Sequence, residues 1–400
     1  MADANTSVVS QSGSLTSEAS DFQTGRVATV SAAHGVHDTY TAFLPSLLPV
    51  FIANLALSNT EAGLLSVFLQ APSLFQPFIG HLADRFSLRY LVILAPAVTA
   101  AMMSLLGVAP GYAVLALLLT VAGLSSAGIH SVGQVMAGRL SGSRLGRGMG
   151  FWMVGGELGR TLGPIVIVSV LQVLTLRGTP WLMVAGLGMS VLLFLLLRDI
   201  AGRPADTAAA LPWREALRSM RPLLGPLSGI VIVRLFVVSA LTTYLPTFLT
   251  DEGAGLVFAG ASLSVLEGAG VVGALLGGSL SDRLGRRAIL FGSMLATPLL
   301  MFAFLAVDGR FHIPILLLLG LSALSVGPVI MALVQESLPE NPALANGVYM
   351  ALSFVLRSGV IVVIGAIGDL LSLRTAFAVS AVAPLLGLPL TLFLPGGRGK

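Results

Sequence analysis

Two ten-residue stretches decide the fold: Gly80-His81-Leu82-Ala83-Asp84-Arg85-Phe86-Ser87-Leu88-Arg89 and Gly278-Ser279-Leu280-Ser281-Asp282-Arg283-Leu284-Gly285-Arg286-Arg287. Each closes an apolar run on a cluster of charge. They lie 198 residues apart. The same offset relates Leu65-Ser66-Val67 to Leu263-Ser264-Val265. An offset of 197 relates Gly150 and Arg160 to Gly347 and Arg357, and Phe43-Leu44-Pro45 resembles Tyr244-Leu245-Pro246. The chain is therefore two similar halves. Repeated halves that face each other across a midplane site are a recurring arrangement in membrane transport.

Composition supplies the solvent. Charged residues make up 10% of the chain and apolar ones 55%. Soluble domains carry roughly 25% charge, so a soluble fold would have to expose apolar surface to water. A bilayer solvates that surface without penalty. Apolar runs of spanning length recur at about 27–52, 60–82, 90–108, 112–137, 148–173, 179–197, 223–249, 258–280, 288–306, 312–336, 346–369 and 376–395. The expected fold is an all-α membrane protein with twelve transmembrane helices in two pseudo-symmetric six-helix halves. Pro45, Pro49, Pro72, Pro77, Pro164, Pro246 and Pro328 fall inside these runs. In lipid they are compatible with helices, because neighbouring helices re-satisfy the freed backbone groups.

Basic residues fix an orientation. Sixteen of the 22 Lys and Arg precede the first span or follow the even-numbered ones, and three (Arg177, Arg310 and Arg374) lie on the other side. The bias predicts both termini in the cytoplasm of a cell with an inner membrane. Residues 1–26 form a Ser/Thr/Ala-rich tail without the basic start and apolar core of a signal peptide, and disorder is expected there. The halves are then 27–198 and 223–400. Between them, 199–222 forms a cytoplasmic central loop, in which Pro212 to Arg218 could make a short surface helix. A monomer is expected, since two halves complete one pathway.

Several functions are excluded. Without cysteine there is no thiol chemistry, thiolate metal site or disulfide framework. No Walker loop, His-Glu-x-x-His or nucleophile elbow is present. The expectation is no enzyme, no cofactor, no metal and no nucleic-acid partner. Gly268-Ala269-Gly270-Val271-Val272-Gly273 has dinucleotide-loop spacing but no preceding strand. Gly273-x-x-x-Gly277 and Gly159-x-x-x-Gly163 read as close-packing helix surfaces.

The remaining charges carry the functional argument, since an ionisable residue in hydrocarbon is costly and marks a pathway by default. Arg160, Arg357 and Arg234 each lie roughly 16–18 Å from the cytoplasmic end of a span, near the midplane of a ~30 Å core. Two guanidinium forks at Arg160 and Arg357 would suit a carboxylate, phosphonate or phosphate. Alternatively Arg160 pairs with Glu157 one turn away, and Arg357 with Glu267, Asp38 or Glu336. Asp38 shares a helix face with His34, and His37 is turned about 100° from it. Carboxylate and imidazole in a semi-dry cavity suit proton coupling, with Glu157 and Glu267 as further candidates. The bland alternative is a fixed hydrogen-bonded cluster. His130, standing alone in its span, reads as a packing residue. Tyr40, Tyr244 and Trp152 are candidate cavity liners, and His81, His312 and Asp369 are expected at the interface.

The two loops give these features a name. Gly278-x-x-x-Asp282-Arg283-x-Gly285-Arg286-Arg287 resembles the loop signature of the major facilitator superfamily, and Gly80-x-x-x-Asp84-Arg85-x-Ser87-Leu88-Arg89 is a second copy altered at two positions. The resemblance implies alternating access, with Asp84, Arg85, Arg89, Asp282, Arg283, Arg286 and Arg287 in a cytoplasmic gate. His34-x-x-His37-Asp38 with Pro45 and Pro49, Gly128-Ile129-His130, and Gly155-Gly156-x-Leu158-Gly159-x-x-Leu162-Gly163-Pro164 are similar to the fosmidomycin-resistance group of drug exporters. That likeness implies proton-driven efflux; Glu157 and Arg160 depart from the group's pattern. The expected function is proton-coupled transport of a small organic anion or anionic drug, with efflux favoured. An anion uptake symporter or exchanger is the alternative within the class, and a non-transporting sensor or scaffold is the alternative outside it.

Overall fold

A computed structural model describes residues 22–76, 78–79, 82, 88–142, 144–198, 213–307, 309–337 and 342–394. Most of the N-terminal tail, the first part of the central loop, Asp84, Arg85, His81 and Pro77 lie outside the described residues. The rest is helical. The first half contains α1 (Thr24–Thr41), α2 (Leu44–Leu55), α3 (Asn59–Gln70), α4 (Arg89–Leu105), α5 (Tyr112–Gly128), α6 (Gln134–Leu140), α7 (Leu145–Leu174) and α8 (Met183–Leu197). The second contains α9 (Trp213–Ser239), α10 (Leu245–Asp251), α11 (Leu256–Leu284), α12 (Arg286–Ala306), α13 (His312–Ala323), α14 (Val326–Ser337), α15 (Pro342–Leu370) and α16 (Leu373–Gly387).

Ten helical stretches among the described residues are long and apolar enough to cross a membrane. The first two sequence spans are each jointed. Ala42 and Phe43 separate α1 from α2, and α3 runs into a 3₁₀ segment at Ala71–Phe75. Helix α9 starts at Trp213, so the short helix expected at 212–218 is continuous with the seventh span.

The bundle is apolar inside and out. Tyr40, Phe43, Leu47, Leu65, Met103 and Leu119 fill a core in the first half, and Leu241, Phe248, Phe304 and Phe377 fill one in the second. Leu117, Trp181, Leu195, Leu299 and Phe302 are exposed, as a lipid-facing belt requires. Polar details repeat with the halves. The Thr99 hydroxyl donates to Ser125 Oγ at 2.9 Å, and Thr297 Oγ1 and Ser322 Oγ lie 2.9 Å apart at the equivalent place.

Prolines are accommodated by serines on neighbouring helices. After Pro96, the Ala97 N–H donates to Ser190 Oγ at 2.9 Å; after Pro164, the Ile165 N–H donates to Ser264 Oγ at 3.1 Å. Each hydroxyl replaces a bond that the helix geometry at proline would forfeit. At Gly285 the chain turns from α11 into α12 with φ +90°, a conformation that strains any residue with a Cβ.

The halves meet along α7 with α11, α3 with α15, and α2 with α10. Every hydrogen bond between described residues of the two halves involves Asn59, Thr60, Ile165, Ser264, Tyr244 or Asp369. Four of the five cluster at the bundle end opposite the basic loops.

Candidate functional site

Glycines bring α1 and α7 into backbone contact. A Cβ on Gly155 would stand 2.1 Å from the Ser31 carbonyl oxygen, and one on Gly159 would stand 2.3 Å from that of Gly35. The Gly159-x-x-x-Gly163 surface is thus a close-packing face. Gly273-x-x-x-Gly277 likewise seats α11 on the Leu321 and Ser325 backbone, which is packing rather than a phosphate loop.

This close approach concentrates charge. Asp38 is buried on α1, and three histidines surround it. His34 Nε2 lies 3.4 Å from Asp38 Oδ2, His130 Nε2 3.6 Å from Oδ1, and the fully buried His37 3.9 Å from Oδ1. Arg160 Nη1 stands 3.8 Å from Oδ2, while its Nη2 donates to Glu157. The pairing expected from the i, i+3 spacing is therefore present, and Asp38 joins it.

His130 corrects the sequence reading. It sits in a π-turn, Ile129–Gly133, between α5 and α6. The extra residue of a π-turn rotates the following side chains, and such turns recur at functional sites. Its Nε2 approaches His34 Nε2 at 3.2 Å, and its Nδ1 meets the Ser126 carbonyl at 2.9 Å. It belongs to the cluster rather than to lone packing.

Arg160 and Arg357 approach one electrostatic neighbourhood from opposite halves. Glu267 on α11 interacts with Arg160, Glu157 and Arg357. The Arg160 side chain is 44% exposed and that of His130 is 32% exposed. Helix α7, which carries Arg160, packs against α11 of the other half. Arg357 Nη2 donates to Thr242 Oγ1 at 2.9 Å. Of its three expected partners, Glu267 is the one with which it interacts electrostatically, without an ion pair; Glu336 pairs with Arg286 and Asp38 with the first-half cluster.

Four substrate candidates are used otherwise. Arg234 Nη2 donates to the Ala323 carbonyl at 2.9 Å inside the second half. It interacts with Tyr349, the repeat equivalent of Trp152 at the 197 offset. Tyr40 is buried, with its hydroxyl donated to the Leu182 carbonyl. Tyr244 is fully buried and donates to the Ile361 carbonyl at 2.9 Å and the Asn59 carbonyl at 3.2 Å. It is part of the seal between halves rather than a cavity liner. Trp152 is buried and stacks on His34 at 3.9 Å between ring centroids, and its carbonyl meets His34 Nδ1 at 2.9 Å. It positions the histidine.

At the basic-loop end, Arg286 Nη1 lies 2.6 Å from Asp282 and its Nη2 2.9 Å from Glu336. Arg283 and Arg287 flank this network in sequence. Arg89 donates to the Arg198 carbonyl at 2.6 Å. These contacts stay within a half. At the opposite end, Asp369 accepts from the Asn59 and Thr60 N–H groups and the Thr60 hydroxyl. The sequence placed Asp369 only at the interface and gave no sign of this long-range pairing.

Comparison with known proteins agrees with the architecture. The model of the family described as Major Facilitator Superfamily matches residues 30–360. Similar chains include the fosmidomycin resistance protein of Escherichia coli (strain K12), 25% identical over 391 residues and covering 94% of each chain. They also include the uncharacterized MFS-type transporter YfnC of Bacillus subtilis (strain 168), 25% identical over 388 residues and covering 92% of each. A bacterial homologue of the human lysosomal transporter Spinster, in an inward-facing and occupied conformation, superposes with a TM-score of 0.76 at 12% identity. That match covers 93% of this chain and 96% of that one. The nucleoside transporter NupG superposes with a TM-score of 0.72 at 14% identity, covering 92% and 99%. At such identities the superpositions speak to the fold. With the family match spanning most of both halves, the chain belongs to the Major Facilitator Superfamily.

Proposed function

We propose that this protein is a proton-coupled secondary transporter that exports a small organic anion or anionic drug by alternating access. The observation that carries the reading is the meeting of Asp38, His34 and His37 on α1 with Arg160 on α7 and with His130 from the π-turn after α5. With neutral histidines, Asp38, Glu157 and Arg160 sum to one negative charge. A lone charge in a membrane interior is costly, and one proton on an imidazole balances it. Imidazole is the side chain suited to gain and lose that proton near neutral pH. Arg160 and, across the inter-half space, Arg357 offer guanidinium groups to an anion. Glu267 interacts with both as a second acid.

Export is supported by the similarity to a relative named for fosmidomycin resistance. The positive-inside bias supports an inner-membrane location with both termini cytoplasmic. With the other end sealed at Asp369 and Tyr244, access is assigned to the basic-loop, cytoplasmic side. The loop residues Asp84, Arg85, Arg89, Asp282, Arg283, Arg286 and Arg287 then form the gate that closes that side, and one chain suffices for a pathway.

The test is reconstitution in liposomes under an imposed pH gradient, with phosphonates, carboxylates and neutral controls offered in turn. The expected result is pH-driven flux of an anion, lost in Arg160→Gln and uncoupled from the proton gradient in Asp38→Asn. Flux that ignores the gradient, or favours neutral solutes, would overturn the reading.

A further inference from the structure

The imidazoles of His34 and His130 meet in a way that a proton alone does not require. His34 Nδ1 faces the Trp152 carbonyl at 2.9 Å, and His130 Nδ1 faces the Ser126 carbonyl at 2.9 Å. A carbonyl only accepts, so both Nδ1 atoms carry hydrogen. In the neutral rings both Nε2 atoms then bear lone pairs, and they stand 3.2 Å apart. Asp38 adds carboxylate oxygens at 3.4 Å from one and 3.6 Å from the other. Three electron-pair donor groups therefore cluster, one ligand atom of each lying within 4.8 Å of the others.

We propose that His34, Asp38 and His130 form a binding site for a divalent first-row transition-metal ion of the zinc class. The spacing suits a small ion. Ligands at ~2.0–2.1 Å from a tetrahedral ion are about 3.3–3.4 Å from one another; the two Nε2 atoms are 3.2 Å apart, and Asp38 presents Oδ2 to His34 at 3.4 Å and Oδ1 to His130 at 3.6 Å, with one ligand atom from each residue lying within 4.8 Å of the others. The ligand set fits as well: two neutral imidazoles and a carboxylate leave a fourth position open. The His130 side chain is 32% exposed, which leaves an approach to that position.

The surroundings are those of a held site. Metal-binding histidines donate their other ring N–H to a carbonyl or carboxylate, which fixes tautomer and orientation. Both histidines here are oriented in that way. The Trp152 ring, stacked on His34 with 12° between planes, fixes the imidazole further. His34 and Asp38 come from one face of α1, and the π-turn brings His130 to them from a different helix. Electrostatics agree, because the Asp38, Glu157 and Arg160 group carries one uncompensated negative charge. Arg160, 3.8 Å from Asp38, opposes the cation but spends its other nitrogen on Glu157.

The site is defined by equilibrium binding and does not depend on what the protein transports. The experiment uses the full chain, purified in detergent without a polyhistidine tag and stripped with a chelator. Cobalt(II) is titrated at neutral pH while its visible absorption is followed, and zinc(II) is then added as competitor. The expected result is one cobalt per chain, displaced by zinc. Binding should weaken at least tenfold in His130→Gln and in Asp38→Asn. His312→Gln, at the other end of the bundle, should bind as the parent does. Arg160→Gln removes the neighbouring cation and should bind at least as tightly. Circular dichroism and size-exclusion chromatography identify any variant that has lost its fold. His130→Gln, altered at the partly exposed position, keeps the test decisive if Asp38→Asn does not fold. Absence of stoichiometric cobalt binding by the folded parent, or equal binding by folded His130→Gln, would overturn the proposal.

Discussion

Asp369 caps a helix that belongs to the other half of the molecule: its carboxylate accepts from the Thr60 N–H at 3.0 Å and the Thr60 hydroxyl at 2.6 Å. Oδ1 takes the Asn59 N–H at 2.6 Å as well. These are the orphan donors at the start of α3, whose own N-cap, Ser58, forms a capping box with Glu61. An anion at a helix N-terminus is stabilised by both hydrogen bonds and dipole. Here that stabilisation exists only while the halves are closed at this end.

Asp369→Asn should therefore favour opening. Loss of a charged acceptor at a cap costs about 1–2 kcal/mol, or roughly a five- to thirtyfold shift in a two-state balance. The chain has no cysteine, so one introduced as Ile361→Cys, buried beside Gly63 and Tyr244, reports on the seal. Added thiol reagent should label it several-fold faster in the Asp369→Asn background. Equal labelling would mean that the cap does not hold the seal.

What was legible in the sequence followed from local properties. Apolar length, the repeat and the basic bias are each a matter of which residues sit along a short stretch, and they gave the helical architecture. Arg160 with Glu157 was legible because three residues along a helix set one face. His130 and Tyr244 were not, and both lie in π-turns, at Ile129–Gly133 and Ala240–Tyr244. A helical period cannot foresee where the extra residue turns the face. Arg234 and Tyr40 show another limit. Depth in the bilayer was read from position along the span, but whether a side chain meets solute or a carbonyl depends on a partner helix. For Asp369, that partner was some 310 residues away.

Glycine replacements separate packing from propensity. A methyl at Gly159 would stand 2.3 Å from the Gly35 carbonyl and 2.9 Å from Asp38 Cβ. Gly159→Ala must part α1 from α7 and so displace Asp38 from Arg160. It should lower the melting temperature in detergent and abolish coupled transport, the overpacking cost being typically 1–3 kcal/mol. Gly150, on the same helix, would place its methyl in open space. Gly150→Ala should be neutral or slightly stabilising, since alanine is the better helix former by up to about 1 kcal/mol.

The three intramembrane arginines should divide by role. Arg234 spends its guanidinium on the Ala323 carbonyl within the second half. Arg234→Met keeps the apolar stem and loses that bond, so stability should fall by about 1–3 kcal/mol with the substrate range unchanged. Arg357 donates to Thr242 and interacts electrostatically with Glu267 and Arg160. Arg357→Gln should raise the apparent KM for the anion at least tenfold while the melting temperature changes little. A KM effect from Arg234→Met equal to that from Arg357→Gln would return Arg234 to the substrate site.

Two serines perform the same backbone repair with different reach, and the difference is measurable. Ser190 Oγ accepts the N–H that follows Pro96, within the first half. Ser264 Oγ accepts the N–H that follows Pro164, from the opposite half. In either alanine variant a backbone donor loses its partner, at a cost averaging about 0.6 kcal/mol for interhelical bonds in membranes and reaching ~1.7. Ser190→Ala should destabilise every conformation equally, since α4 and α8 stay together within their half. Ser264→Ala should destabilise only states in which α7 and α11 touch at this level. Labelling of Ile361→Cys should therefore rise in Ser264→Ala and stay at the parental rate in Ser190→Ala, while both melt slightly earlier. Equal labelling in the two variants would mean that the Ile165–Ser264 bond survives the transport cycle, which would place the hinge of the two halves along α7 and α11 at that point.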